Sequence, residues 1–167
     1  MDVQLLWLVC WGILFAISLV DLKDNRIPNR LVFLLFFAVL GSNALLKDGA
    51  WILDSLLGGA TVFAVSMFFY IVKAMAAGDV KLLAVIGFWQ GWHNLSSLAF
   101  YLIIASALVG IFYYVYNSIH FGSSFSAKKL AYLANKHTRQ YVDIHVTQMP
   151  MAPAIMIGMA LYSYFTI

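Results

Sequence analysis

Apolar residues fill six stretches of the chain, roughly 3–20, 31–46, 50–72, 80–98, 99–116 and 149–167, with short polar connections between them. Crossing a bilayer takes about 20 residues, or about 17 at the short limit. The pattern therefore predicts an all-α polytopic membrane protein, a bundle of about six transmembrane helices. The second stretch reaches spanning length only if Pro28–Arg30 opens its helix, and proline suits a first helical turn. Only QGWHNLSS (90–97) separates the fourth stretch from the fifth. Gly91, His93 and Asn94 mark a turn there, which leaves the fourth helix short or tilted. In the last connection, SAKKLAYLANKH (126–137) puts Leu130, Leu133 and Ala134 on one face and Lys128, Lys129 and Lys136 largely elsewhere. With Ser126 as its cap, this predicts a short interfacial helix. Small residues at four-residue spacing, Gly12/Ala16, Ser55/Gly59, Ala60/Ala64 and Ser106/Gly110, allow close helix approach in lipid.

Composition agrees with this reading. Of 167 residues, 63% are hydrophobic and 10% charged, against about 25% charged in soluble domains. The length suits a single membrane-embedded domain, 1–167. The first stretch lacks a basic leader region and a small-residue cleavage site, and is expected to be a retained helix. Nine of the ten Lys and Arg residues fall in alternate connections: Lys23, Arg26 and Arg30; Lys73 and Lys81; Lys128, Lys129, Lys136 and Arg139. Only Lys47 lies on the other side. The positive-inside rule puts those three connections in the cytoplasm and both termini outside. No basic cluster interleaved with aromatics occurs, so nucleic acid is not an expected partner. Cys10, the single cysteine, excludes an internal disulfide or a CxxC zinc site and reads as packing. His93, His120, His137 and His145 form no metal-spaced set, and neither HExxH nor GxSxG occurs. No metal or cofactor is expected.

The seven acidic residues are all Asp. Asp2, Asp48 and Asp143 fall at a terminus or in connections, as surface charges do. Asp24 reads as the middle of a polar loop. Asp54 stands one turn into the third helix on the outer side, facing headgroups or capping that helix. Asp21 and Asp79 differ: Asp21 ends the first apolar run, and Asp79 opens the fourth, after Gly78. Both lie at the same depth on the same side. Position alone fits paired or solvated boundary charges. A second reading is chemical. Two carboxylates brought close share a proton, so one activates water while the other hydrogen-bonds a scissile carbonyl. That arrangement hydrolyses a peptide without a metal or a covalent nucleophile.

Three strings extend the picture. DLKDNRIPN (21–29), followed by a helix, resembles the first-aspartate motif of type IV prepilin peptidases. AAGDVKL (76–82) resembles their Gly-x-Gly-Asp-x-Lys-Leu motif, and PMAPAI (150–155) their proline-rich motif at the last helix. The three occur in order across nearly the whole chain. The short length is most similar to the prepilin peptidases of tight-adherence (Flp) pilus systems. The resemblance implies an intramembrane aspartyl protease of the bacterial inner membrane. Such an enzyme cuts the basic leader from a prepilin at the cytoplasmic face. It implies Asp21 and Asp79 as the catalytic pair. Gly78 would give close backbone approach. Lys81 would be an electrostatic partner of Asp79 or an anchor at the headgroups. Pro28 and Asn29 would shape the turn into the second helix, and Pro150 and Pro153 the start of the last. The implied partners are a prepilin with a basic leader and a hydrophobic helix, the lipid bilayer, and pilus-assembly proteins.

Two departures stand out. Ala76 replaces the motif's first glycine, which leans the chain toward helix and stiffness. The larger family members carry an insertion with cysteine pairs associated with N-methylation, which one cysteine and a ten-residue first loop do not supply, so proteolysis without methyl transfer is expected. Two rivals remain: a proton-coupled transporter with Asp79 as carrier, and a structural subunit whose acids pair with interfacial Lys or Arg.

Overall fold

The computed structural model describes residues 3–46, 51–121 and 149–166. They form six helices and, among the described residues, no strand: α1 (Val3–Asp24), α2 (Asn29–Leu46), α3 (Trp51–Ile71), α4 (Ala77–Gln90), α5 (Leu95–Phe121) and α6 (Met151–Thr166). The protein is all-α, as the apolar pattern predicts. Asp2, Lys47, Asp48, the interfacial helix expected at 126–137, Arg139, His137, Asp143 and His145 lie outside the described residues.

Helix ends explain where the observed boundaries differ from the apolar runs. The first helix runs on through Asp24, so Asp24 belongs to its last turn and not to a loop. It stops because Asn25 turns left-handed (φ 48) and returns its N–H to the carbonyl of Asp21 at 2.9 Å. Asparagine is among the few residues that tolerate this region. At the end of α3, Lys73 (φ 60) takes the same conformation. The N–H groups of Lys73 and Ala74 reach back to the carbonyls of Tyr70 and Phe69, both at 2.9 Å, in the Schellman pattern. The fourth segment ends at Gln90, well short of residue 98. Gly91 (φ 83) breaks it and donates its N–H to the Gly87 carbonyl at 3.0 Å. Trp92, Leu95 and Leu98 carry apolar character straight across that turn, which hides it from a hydropathy reading.

Among the described residues, three helices are long and apolar enough to cross a membrane by length and composition, over Leu5–Asp24, Trp51–Ile71 and Leu95–Tyr116. The shorter α2 and α6 are also apolar, and α4 has 14 residues. Each outer helix buries one stripe. In α1 the stripe is Cys10, Leu14, Ile17, Ser18 and Asp21; in α2 it is Val32, Leu35, Val39, Ser42 and Asn43. The spacing is that of one helical face. The rest of those helices exposes large apolar side chains, such as Leu8, Phe15, Phe33, Phe37 and Phe68, a surface suited to lipid. Cys10 is buried in this core, in the packing role expected of it.

By contrast, α4 is buried nearly all round, from Asp79 through Trp89, and its main neighbour is α3. Glycines bring these two helices together. A Cβ on Gly58 would stand 2.6 Å from the Gly87 carbonyl oxygen, and one on Gly59 3.1 Å from the Phe88 Cβ. The Ser55/Gly59 pair is therefore a true helix contact, whereas Ala60 and Ala64 face outward and Gly12 has nothing within 4 Å. Asn43 of α2 adds a buried polar tie, donating to Ser55 Oγ at 3.3 Å and to the Phe88 carbonyl at 3.4 Å. At this end of α4, Trp7, Trp11 and Trp89 cluster with ring centroids 6.0–6.4 Å apart. Asp54 holds the α4–α5 turn, accepting from the His93 N–H at 3.4 Å and pairing with the His93 ring.

The chain divides into two compact units, Met1–Ser106 with Pro150–Ile167, and Ala107–Met149. In the second, the described part is the end of α5 and Met149. It exposes Leu108, Ile111 and Phe112 and stacks Phe112 on Tyr116. All site residues discussed below belong to the first.

Candidate active site

The polar centre of the first unit lies at the end opposite the Trp cluster. There the last turn of α1, the α1–α2 link and the first turns of α2, α4 and α6 converge. Asp21 is 4% exposed and Asp79 6%. Burying an unpaired carboxylate is costly, so the question is what each one meets. Asp21 Oδ2 accepts the backbone N–H of Ala152 at 2.9 Å. Asp79 Oδ2 accepts the backbone N–H of Ala76 at 3.3 Å. Among the described residues, neither carboxylate touches a basic side chain. Each rests instead at the start of a helix, α6 for Asp21 and α4 for Asp79. Free N–H groups and the positive end of the helix dipole favour negative charge there.

The two carboxylates come from different helices that converge here. Gly78 helps to bring them together. A Cβ at that position would stand 3.1 Å from the Cβ of Ile27, in the link that follows Asp21. Glycine here permits the start of α4 to press against the α1–α2 link. Pro28 opens α2: its carbonyl accepts the N–H groups of Leu31 (3.1 Å) and Val32 (3.3 Å). Lys81 is exposed, and its Nζ donates to Asn29 Oδ1 at 2.9 Å rather than to Asp79. This bond joins the first turns of α4 and α2, so Lys81 and Asn29 brace the site from its exposed side.

Ala76 is the position where a stiffer chain was expected. It is the N-cap of α4, in extended conformation at φ −82, ψ 153. Alanine adopts that region freely, and Ala76 is exposed. The first glycine of the motif is thus not required by the backbone seen here. Ala76→Gly should change the rate of any reaction at this site by less than about threefold, because glycine is, if anything, the better N-cap and the extended backbone suits both residues. A side-by-side rate assay of the two proteins checks this; a tenfold gain would mean that Ala76 does stiffen the site.

Two contributors went unnoticed in the sequence. Ala152 acts through its backbone, which no side-chain pattern reveals. Pro150 and Pro153 flank it and have no N–H of their own, so the proline-rich string builds a helix start with Ala152 as a donor. Ser18, 2% exposed, donates from Oγ to the Leu14 carbonyl at 3.0 Å and lies 3.2 Å from the Ala152 carbonyl. Its signal was available, as a polar residue one turn before Asp21 in an apolar run. Among the described residues, no three His, Cys, Asp or Glu side chains group as metal ligands.

Beside this centre opens an apolar groove of about 490 Å³, lined by residues that include Val65, Phe69, Leu83 and Leu98. Met75 and Met151 also line it, adjacent in sequence to Ala76 and Ala152, the donors to the two carboxylates.

Comparison with known proteins leads the same way. The chain is 33% identical over 111 residues to a prepilin leader peptidase/N-methyltransferase of Stutzerimonas stutzeri, covering 62% of this chain and 36% of that protein. It is 34% identical to the protein of the same name from Pseudomonas aeruginosa, with the same coverage. With the one from Burkholderia pseudomallei it shares 28% over 106 residues, 59% of this chain and 34% of the relative. The matches thus span about a third of the relatives' length. No solved structure matches significantly. The model of the type IV leader peptidase family matches residues 8–115, a stretch that holds both buried aspartates, the α1–α2 link and all of α4. With well over half of its length under that match, the chain belongs to the type IV leader peptidase family.

Proposed function

We propose that this chain is a prepilin leader peptidase of the short, Flp-pilus kind, which hydrolyses its peptide bond with Asp21 and Asp79 and without methyl transfer. The observation that carries the reading is the pair itself: two buried carboxylates on separate helices that meet where Gly78 packs on Ile27, with no basic partner among the described residues. Such a pair shares one proton. The ionised carboxylate takes a proton from water as the oxygen attacks the scissile carbonyl. The protonated one hydrogen-bonds the carbonyl oxygen and offsets its developing charge. Collapse of the tetrahedral intermediate breaks the C–N bond, and a proton passes to the leaving amine. The carboxylates end as they began, with one proton between them.

The groove that opens beside both helix starts supports a substrate with an apolar segment. Exposed Lys23, Arg26, Arg30, Lys73 and Lys81 all belong to the site end of the helices, which by the positive-inside rule supports a site facing the cytoplasm. A basic rim repels a basic leader, so binding rests chiefly on the apolar segment. The bond of Lys81 to Asn29 weighs against a purely structural subunit, in which Asp79 would pair with a lysine. The absence of methyl transfer is inferred from the four-residue link 25–28 and from the single, buried cysteine.

The test is incubation of the purified chain with a prepilin in liposomes, followed by intact-mass analysis of the product. The expected product is the mature pilin with a free amine. Shortening the apolar segment of the substrate should raise KM by about tenfold or more, as loss of a few buried side chains does. No cleavage overturns the activity; a methylated product overturns the exclusion of methyl transfer; unchanged KM overturns the binding mode.

A further inference from the structure

We propose that Ser18 is a positioning residue for Asp21, acting through the backbone of Ala152. The inference rests on the peptidase reading above. Ser18 lies one turn before Asp21 on the buried stripe of α1, and residues so spaced share a face. A serine inside an apolar helix ordinarily satisfies itself by donating to the carbonyl four residues back. Ser18 does so with Leu14 at 3.0 Å, yet its Oγ also stands 3.2 Å from the Ala152 carbonyl. The single hydroxyl proton is shared between the two carbonyls, and Ala152 is thereby tied to α1 on both sides of its Cα: its N–H by Asp21 and its carbonyl, in the next peptide unit, by Ser18. Ser18 and Ala152 are both buried, so bulk water does not replace the bond between them.

The division of labour follows from charge. A hydrogen bond to an ionised carboxylate is roughly twice as strong as one between neutral groups. A carboxylate that exchanges a proton in each turnover therefore loosens its own tether in each turnover. If Asp21 alone held the start of α6, that helix start would slacken at the moment when its N–H is needed to receive the recharged carboxylate. The Ser18 hydroxyl stays neutral throughout. Its shared bond keeps residue 152 in place through the cycle, and with it the N–H on the other side of the Ala152 Cα aimed at Asp21. Pro150 and Pro153, either side of this residue, limit its freedom further.

Two substitutions separate positioning from simple packing. Ser18→Ala removes the hydroxyl while keeping a small, helix-favouring side chain; Ser18→Thr keeps the hydroxyl. The experiment measures kcat and KM on prepilin, thermal unfolding, and amide hydrogen exchange over residues 149–155, all in the full chain in detergent. Ser18→Ala should lower kcat about tenfold with KM within about twofold, a loss typical of a misaligned catalytic group. Exchange at the start of α6 should quicken, and Ser18→Thr should restore both readouts. Wild-type kcat or wild-type exchange in Ser18→Ala overturns the proposal. So does a threonine variant that behaves like alanine, or a loss explained wholly by a lower melting temperature. If the wild-type chain cleaves no prepilin, the peptidase reading fails, while the exchange measurement still decides whether Ser18 tethers Ala152.

Discussion

Asp21→Asn and Asp79→Asn should each lower the rate of leader cleavage by about 10³-fold or more, within the range that general acid–base groups contribute. Asparagine keeps the shape of aspartate and an oxygen able to accept the N–H of Ala152 or Ala76. The starts of α6 and α4 are therefore held in both variants, and thermal unfolding should be little changed. What is lost is the exchangeable proton. Because the two carboxylates work as one unit, the double variant should be no worse than the poorer single one. Cleavage measured in a single turnover, with enzyme in excess over prepilin, separates this loss from product release. Wild-type activity in either variant would show that the buried pair is structural and would end the two-aspartate reading.

The parts legible in the sequence were those written in side chains and in apolar runs. Asp21 and Asp79 could be found because each stops or starts an apolar run, where a charge has to be explained. Gly78, Pro28 and Asn29 sat in strings whose spacing marked them. Other parts could not be read for identifiable reasons. The donors to both carboxylates are backbone N–H groups, of Ala152 and Ala76, and any residue other than proline carries that group. Lys81 offered two readings, a partner of Asp79 or a headgroup anchor, and folding put a neutral amide from α2 within its reach. The extent of α1 past Asp21 depended on the conformation of Asn25, which hydropathy does not register. The short α4 was anticipated from Gly91, but its end was blurred by Trp92 and Leu95. Ala76 looked like a defect only while its conformation was unknown; at an extended N-cap it asks nothing that alanine cannot give.

The packing of α3 against α4 makes the other large prediction, and it is separable from the first. Gly58→Ala would place a Cβ 2.6 Å from the Gly87 carbonyl oxygen, 2.7 Å from the Gly91 carbonyl carbon and 2.9 Å from the Gly91 Cα. All three are backbone atoms, so no side chain is free to rotate away and the helices must part. Overpacking of this kind costs about 3 kcal/mol, which in a chain of this size lowers Tm by roughly 6–12 °C. Gly12→Ala is the matched control. That glycine has nothing within 4 Å, and alanine is the better helix former by about 1 kcal/mol, so Tm should hold or rise. The damage from Gly58→Ala falls at the Gly91 end of α4, whereas Asp79 lies at the other end, braced by Gly78 against Ile27 and by Lys81 on Asn29. Below its melting temperature, the Gly58→Ala protein should therefore keep kcat within about threefold, since its reacting groups remain aligned. The aspartate variants should show the reverse, a lost rate at an intact Tm. An unchanged Tm in Gly58→Ala would mean that α3 and α4 do not meet through these glycines.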